Sequence, residues 1–215
     1  MSLDPVFNNN METTTTTSTP NSPTDTLSHP YCLWVAFLKE NYIMQASEYE
    51  DSLKQVAHID SLSTFFKVYT HIQPPSVLPV NCELFFFKEG IKPVWENKYN
   101  RGGGKFILRV NQKRCNEVWE AILLSVLTWS NPALCGIVLN VKKKECVISI
   151  WTKELEYHSD KESIKTWIRQ TLSIPNTIYI EYKEHPFTED IAPLEKDWDN
   201  LLQIAKSTTF TSIRE

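Results

Sequence analysis

The chain has 215 residues, enough for one ordinary domain with a sizeable core and too few for two large ones. Its 22 Lys and Arg stand against 26 Asp and Glu, a net charge of −4. That balance excludes a histone-like protein that coats polyanions wholesale, while leaving room for a local basic patch.

Residues 1–28 carry eight Thr, three Pro, three acids and no Lys or Arg. Such a tract buries too little apolar area to offset the entropy of ordering it, and it reads as a disordered Thr/Pro-rich tail. Its Met-Ser-Leu-Asp start has neither the basic nor the apolar region of a secretory signal. No apolar run in the chain approaches the ~18–20 residues that span a bilayer. Five cysteines, at 32, 82, 115, 135 and 146, form no C-x-x-C pair. They read as reduced intracellular thiols, not as a disulfide scaffold or a zinc knuckle. The cytoplasm is the compartment expected, with the nucleus as the alternative.

Composition turns globular at His29-Pro30, and a domain is expected over 29–185. Cys32–Leu38 reads as a first strand. Leu62, Phe65, Phe66, Tyr69 and Ile72 form a helical stripe, with Asp60 its expected N-cap. Strands follow at Glu83–Lys88 and Lys105–Val110. Trp119, Ile122, Leu123, Val126 and Leu127 keep the i, i+3, i+4, i+7, i+8 spacing of a second helix. Cys135–Val141 and Cys146–Thr152 flank a hairpin loop at 142–145. Ser159-x-x-Glu162 has the form of a capping box opening a third helix through Ile164, Trp167, Ile168 and Leu172. Thr177–Lys183 closes the sheet. Residues 186–215 read as an acidic extension with a short helix on Leu194, Trp198, Leu201, Leu202 and Ala205. The expected fold is α+β: a curved, mostly antiparallel sheet with three helices on one face and the concave face left for binding.

Enzyme signatures fail. Gly104-Lys105 is not a phosphate loop, because Tyr99 and Phe106 stand where that motif needs Gly and Ser/Thr. No G-x-S-x-G, H-E-x-x-H or metal-ligand cluster is present. The informative stretch is Lys92–Asn116. Between Asn97 and Asn116 it holds six Lys/Arg and no acid, directly after Trp95-Glu96, with the glycine run inside it. A Trp face suits a cationic ring, and a carboxylate accepts two N–H donors from a purine edge. Nearby lysines neutralise phosphates, and glycines let backbone approach. Together these parts describe a pocket for a positively charged guanine bearing phosphates.

F-K-E-G-I-K-P-V-W-E followed by N-R-G-G-G-K-F closely resembles the motif of the eukaryotic translation initiation factor 4E family, which binds the 7-methylguanosine cap of mRNA. The likeness runs in order from Pro30 to Lys183, through F-F-K-V-Y-T-H-I at 65–72, Cys135-Gly136-x-Val138 and Ile148-Ser-Ile-Trp151. It implies that Trp95 is the second stacking ring, Glu96 the carboxylate on guanine, and Trp151 the contact to the N7-methyl group. Lys105, usually Arg in the family, and Lys142 fall at phosphate positions, and Val147 replaces a further Lys. Residues 39–60 lack the usual Trp. The stretch around Glu48-Tyr49 instead resembles S-Y-E-x-x-I-K-Q of the divergent 4E-homologous class, which assigns the first stack to Tyr49, with Tyr42 as fallback.

The family's helix-covered surface docks a Y-x-x-x-x-L-Φ peptide shared by scaffold protein 4G and its competitors. His29, Pro30, Leu62 and Leu124 match that site. Phe66 replaces a Trp, Glu120 a Leu, Ala121 a Glu and Thr128 a Gly. The resemblance implies a non-enzymatic, monomeric cap-binding protein with no metal or cofactor, linking messages to initiation through a 4G-like scaffold. The alternatives are a cap-holding repressor, a generic RNA-binding module and a cap hydrolase.

Overall fold

The computed structural model describes residues 25–38 and 46–186. Tyr42 and the helix expected at Leu194–Ala205 lie outside the described residues.

Seven strands form one sheet: β1 (Thr26–Phe37), β2 (Lys54–Ser61), β3 (Cys82–Lys88), β4 (Gly104–Asn111), β5 (Leu134–Val141), β6 (Glu145–Thr152) and β7 (Glu181–Glu184). Their order is β2-β1-β3-β5-β6-β4-β7, every pair antiparallel, and the sheet is curved. Residues two apart on a strand share a face, so the middle strands, mostly apolar, sort their side chains into two layers. Leu84, Phe86, Ile137, Leu139, Ile148 and Ile150 pack on one side. Phe85, Phe87, Val138 and Trp151 pack on the other.

Three helices cover the first side: α2 (Leu62–Tyr69), α3 (Cys115–Thr128) and α4 (His158–Leu172). The stripe anticipated on α3 is buried at all five positions. Trp167 joins α4 to α3, stacking on Trp129 at 4.1 Å and donating its indole N–H to Ser125 Oγ at 2.9 Å. A fourth helix, α1 (Ala46–Ser52), is new to the structure and packs through Tyr49 on the opposite face.

Several local expectations are corrected. Strand β1 starts at Thr26, ahead of the expected boundary at 29 and of the strand expected from Cys32, because Leu27 is buried and Thr26 pairs with Ser61. Asp25 explains how so polar a segment is ordered: its carbonyl and carboxylate accept the N–H groups of Leu62 and Ser63 at the open end of α2. Ser61, not Asp60, is the N-cap of α2, accepting from the Thr64 N–H at 3.2 Å. Asp60 remains in β2 and takes the Thr64 hydroxyl, and hydrogen bonds from Ser61 and Thr64 hold its carboxyl below the usual range.

On α2 only Phe65 is buried, and Leu62 and Phe66 of the expected stripe are exposed. The capping box at Ser159 does not form. Tyr157 is the N-cap without a side-chain bond, and Glu162 turns to Lys165 at 2.8 Å. The closing strand shortens to Glu181–Glu184. Cys115 and Cys146 form a disulfide joining the start of α3 to β6, against the expectation of reduced thiols throughout; their separation of 31 residues matches no motif. Cys32, Cys82 and Cys135 are free and buried.

Candidate ligand site on the open sheet face

The site is assembled by strand register. One row across the sheet runs Phe87–Gly136–Trp151–Lys105 over β3, β5, β6 and β4. Another runs Glu83–Asn140–Val147–Arg109 over the same strands. Residues up to about seventy positions apart in sequence thus stand side by side on one face.

Trp151 is buried as the wall of this face. The Phe87 ring meets it edge-on at 5.5 Å, and His185 lies over it at 4.2 Å. The Lys105 ammonium sits 5.8 Å from its ring centre. Gly136 makes the wall possible, because a Cβ there would lie 2.3 Å from Phe87 Cγ. Gly103 serves the same purpose at the neighbouring edge, where a Cβ would meet the Thr152 carbonyl at 2.0 Å.

Trp95 and Glu96 are exposed on a loop that is tied to itself. Ile91 and Val94 bury themselves against Phe85 and Phe87, leaving Trp95 the next position outward. Asn100, fully buried, donates its amide to the carbonyls of Lys92 at 2.9 Å and Val94 at 2.8 Å. The Arg101 N–H and the Asn100 N–H return to the Asn97 carbonyl, and the Gly103 N–H to the Asn100 carbonyl. The indole is therefore presented by a rigid support, even though it is 39% exposed.

Tyr49 approaches from α1. Its ring packs on the apolar floor, and its hydroxyl donates to Glu83 Oε2 at 3.1 Å. Burial, the charge and hydrogen bond of Glu83, and the charge of Glu96 together raise the phenol pKa far above its ordinary value. Tyr49 is thus a neutral hydrogen-bond donor, close enough to the Trp95-Glu96 turn to feel that carboxylate. An ion pair between Lys92 and Glu50 fastens α1 to the loop.

Glu83 itself is buried, which raises its pKa; bonds from Tyr49 and Asn140 and the charges of Lys142 and Lys105 oppose that rise. Burial lowers the Lys105 pKa, Glu83 raises it, and Lys183 lowers it. Burial, then the Lys105 charge, push His185 down to about 4, leaving a neutral imidazole. Its ring nitrogens have no hydrogen-bond partner among the described residues. At Val147, where the resemblance calls for Lys, the register partner is Arg109, whose guanidinium is held by Glu145 at 2.7 Å.

Of the residues picked from sequence, Tyr49, Glu96, Lys105, Lys142 and Trp151 are connected through these contacts and charges, with Trp95 carried on the same loop as Glu96. Glu83, Asn100, Asn140 and His185 were missed. Only an Asn inside a glycine-flanked turn hinted at Asn100; the other three depend on register.

On the helix-covered side, Leu62, Phe66 and Leu124 are exposed apolar side chains on α2 and α3. The Tyr69 hydroxyl donates to Glu120 at 2.8 Å, bridging the two helices. His29 is exposed and Pro30 half-buried on β1.

The family model for eukaryotic initiation factor 4E matches residues 26–204. The chain belongs to that family. The match begins where β1 begins and continues through part of the segment expected to be a separate extension. Eukaryotic translation initiation factor NCBP of Triticum aestivum is 33% identical over 145 residues, spanning 66% of this chain and 62% of the wheat protein. The chain therefore spans less than two thirds of that relative's length. The protein of the same name from Oryza sativa subsp. japonica is 31% identical over 163 residues, 74% of this chain and 70% of its own.

Among solved structures, Caenorhabditis elegans eIF4E-3, in complex with the 4E-binding protein Mextli and a cap analogue, matches with a TM-score of 0.69 at 29% identity. That match covers 79% of this chain and 95% of the nematode one. Ascaris suum eIF4E-3 with m7G cap matches with a TM-score of 0.68 at 31% identity, over 75% of this chain and 92% of that one.

Asn100→Ala removes both side-chain amide bonds, leaving the Lys92 carbonyl to the Val94 N–H and the Val94 carbonyl to the Asn97 N–H, at about 0.5–1.5 kcal/mol for each bond lost. The expected result is faster amide hydrogen exchange at Asn100, Arg101 and Gly103 than in the wild type. Unchanged protection there would contradict the anchoring role.

Proposed function

We propose that this chain binds the 7-methylguanosine 5′ cap of mRNA on its open sheet face and docks a partner peptide on its helix-covered face, linking the message to translation initiation through a 4G-like scaffold. The observation that carries the reading is the convergence of Tyr49 and the Trp95-Glu96 turn above a floor that ends in lysines. N7-methylation makes guanine cationic, so two aromatic planes hold it where they hold plain guanine weakly. Tyr49 and Trp95 supply those planes, and Glu96 accepts from the N1 and N2 donors of the base. Trp151 walls the methyl side. Lys105 and Lys142 neutralise the phosphates as point charges, without the bidentate fork an Arg would provide. The solved relatives bound to a cap and to a 4E-binding protein support both halves of the proposal.

A second reading, a repressor that holds the cap without recruiting the scaffold, is favoured by one observation. Glu120 places a carboxylate, bridged to Tyr69, among the exposed apolar residues of the partner face. An apolar peptide anchor would have to desolvate that carboxylate.

Tryptophan-fluorescence titration is expected to show 7-methyl-GTP binding much more tightly than GTP, and equal affinities would overturn the cap reading. Tyr49→Ala is expected to weaken 7-methyl-GTP binding by about 1–3 kcal/mol, the usual worth of one stacking ring. Cap-resin pull-down from the native cell separates the two roles. Recovery of a 4G-like scaffold supports the initiation role, and recovery of competing partners alone supports the repressor.

A further inference from the structure

Glu83 occupies the ligand face of β3 at 7% exposure, a depth at which an acidic side chain needs partners. It has them from several directions. Tyr49 on α1 donates its hydroxyl at 3.1 Å, and Asn140 on β5 donates its amide. The charges of Lys142, just after β5, and Lys105 on β4 favour its ionised form. These partners include one of the two rings assigned to the base and both lysines assigned to the phosphates. One buried carboxylate therefore couples the two halves of the pocket.

We propose that Glu83 is a positioning and specificity residue of the cap site: its bond to the Tyr49 hydroxyl orients the stacking ring, and its charge, set against Lys105 and Lys142, limits how much affinity each added phosphate contributes. The inference rests on the cap-binding reading. A helix as short as the seven-residue α1 is marginal by itself. It is held to the sheet through Tyr49 packing and this hydrogen bond, with Glu50–Lys92 tying it to the loop. Two lysines within electrostatic range of one carboxylate present a net charge of about +1 to a phosphate chain in place of +2, a difference that counts for more in a partly desolvated site.

The test measures affinities for 7-methyl-GMP and 7-methyl-GTP in the full chain. Glu83→Gln keeps an oxygen to accept from Tyr49 and removes the charge; its new amide N–H can meet the Asn140 amide oxygen, which is buried and unpartnered among the described residues. The triphosphate-to-monophosphate affinity ratio is expected to rise roughly threefold or more, since removing a nearby like charge favours the anion. Tyr49→Phe keeps the ring and removes the bond. It is expected to weaken both ligands by a similar factor of roughly threefold, the loss of one charge-assisted hydrogen bond spread over ring order, with the ratio unchanged.

Glu83→Asp retains the charge but shortens the reach to Tyr49, so it should behave as Tyr49→Phe does, which keeps the proposal testable where Glu83→Gln fails to fold. A Glu83→Gln protein with both affinities lowered equally would make Glu83 a purely structural carboxylate and overturn the specificity role. Wild-type affinity in Tyr49→Phe would overturn the positioning role. Failure of the cap reading itself shows earlier and separately, as a wild-type protein indifferent to N7-methylation.

Discussion

In the middle strands of this sheet neither face is left to water, and strand alternation divides the work between them. In β3, Leu84 and Phe86 go under the helices while Phe85 and Phe87 go to the other side. With α2, α3 and α4 all on one side, the second face carries a large aromatic surface, covered among the described residues by the short α1, the loop from Ile91 to Val94 and His185. That surface is the floor on which a flat ligand can be held. Helix packing supplies rigidity on one side so that the other can remain open.

Several polar groups around the open face tie its parts together. Asn100 ties the Trp95 loop, Glu83 ties Tyr49 and Asn140, and Lys92 ties the loop to α1. In a low-dielectric floor an unpaired polar group is costly, so these bonds are under strong constraint and hold their side chains in a single arrangement. Binding by such a site loses little to the ordering of its own residues. The partner face is built differently: Leu62, Phe66 and Leu124 stand exposed on helix surfaces, with Glu120 engaged by Tyr69. In the proposed docking role, recognition there turns on which peptide tolerates a carboxylate among apolar contacts.

Much of this was readable from sequence where the signal was local. The i, i+3, i+4 repeat in α3 and the apolar runs of β3, β5 and β6 have no good alternative to burial. The Trp95-Glu96 pair ahead of an acid-free basic stretch was likewise a local signal, and the structure exposes both residues on one loop. β2 and α1 were missed because Lys-Gln-Val-Ala-His-Ile-Asp-Ser and Ala-Ser-Glu-Tyr-Glu-Asp-Ser are too polar and short to show a period; pairing with β1 and packing of Tyr49 give them shape. The disulfide was missed because Cys115 and Cys146 become neighbours only when α3 lies across β6. Glu83 was hidden for the same reason, since its partners Asn140, Lys105 and Tyr49 are brought to it by register and by a helix unseen in the pattern. The Asp60 and Ser159 caps were misplaced because capping depends on which residue turns non-helical, and at α2 the strand β2 runs on to Ser61 before the chain bends.

In the proposed site, Tyr49 and Trp95 are the two walls of one base-binding slot opening onto Lys105 and Lys142. A crystal structure of the full chain with 7-methyl-GTP tests it most directly. The expected result is the methylated base stacked between the Tyr49 and Trp95 rings, Glu96 on its N1–N2 edge, and the phosphates beside Lys105 and Lys142. A base stacked on Trp95 alone, out of contact with the Tyr49 ring, and phosphates turned away from both lysines would contradict that arrangement.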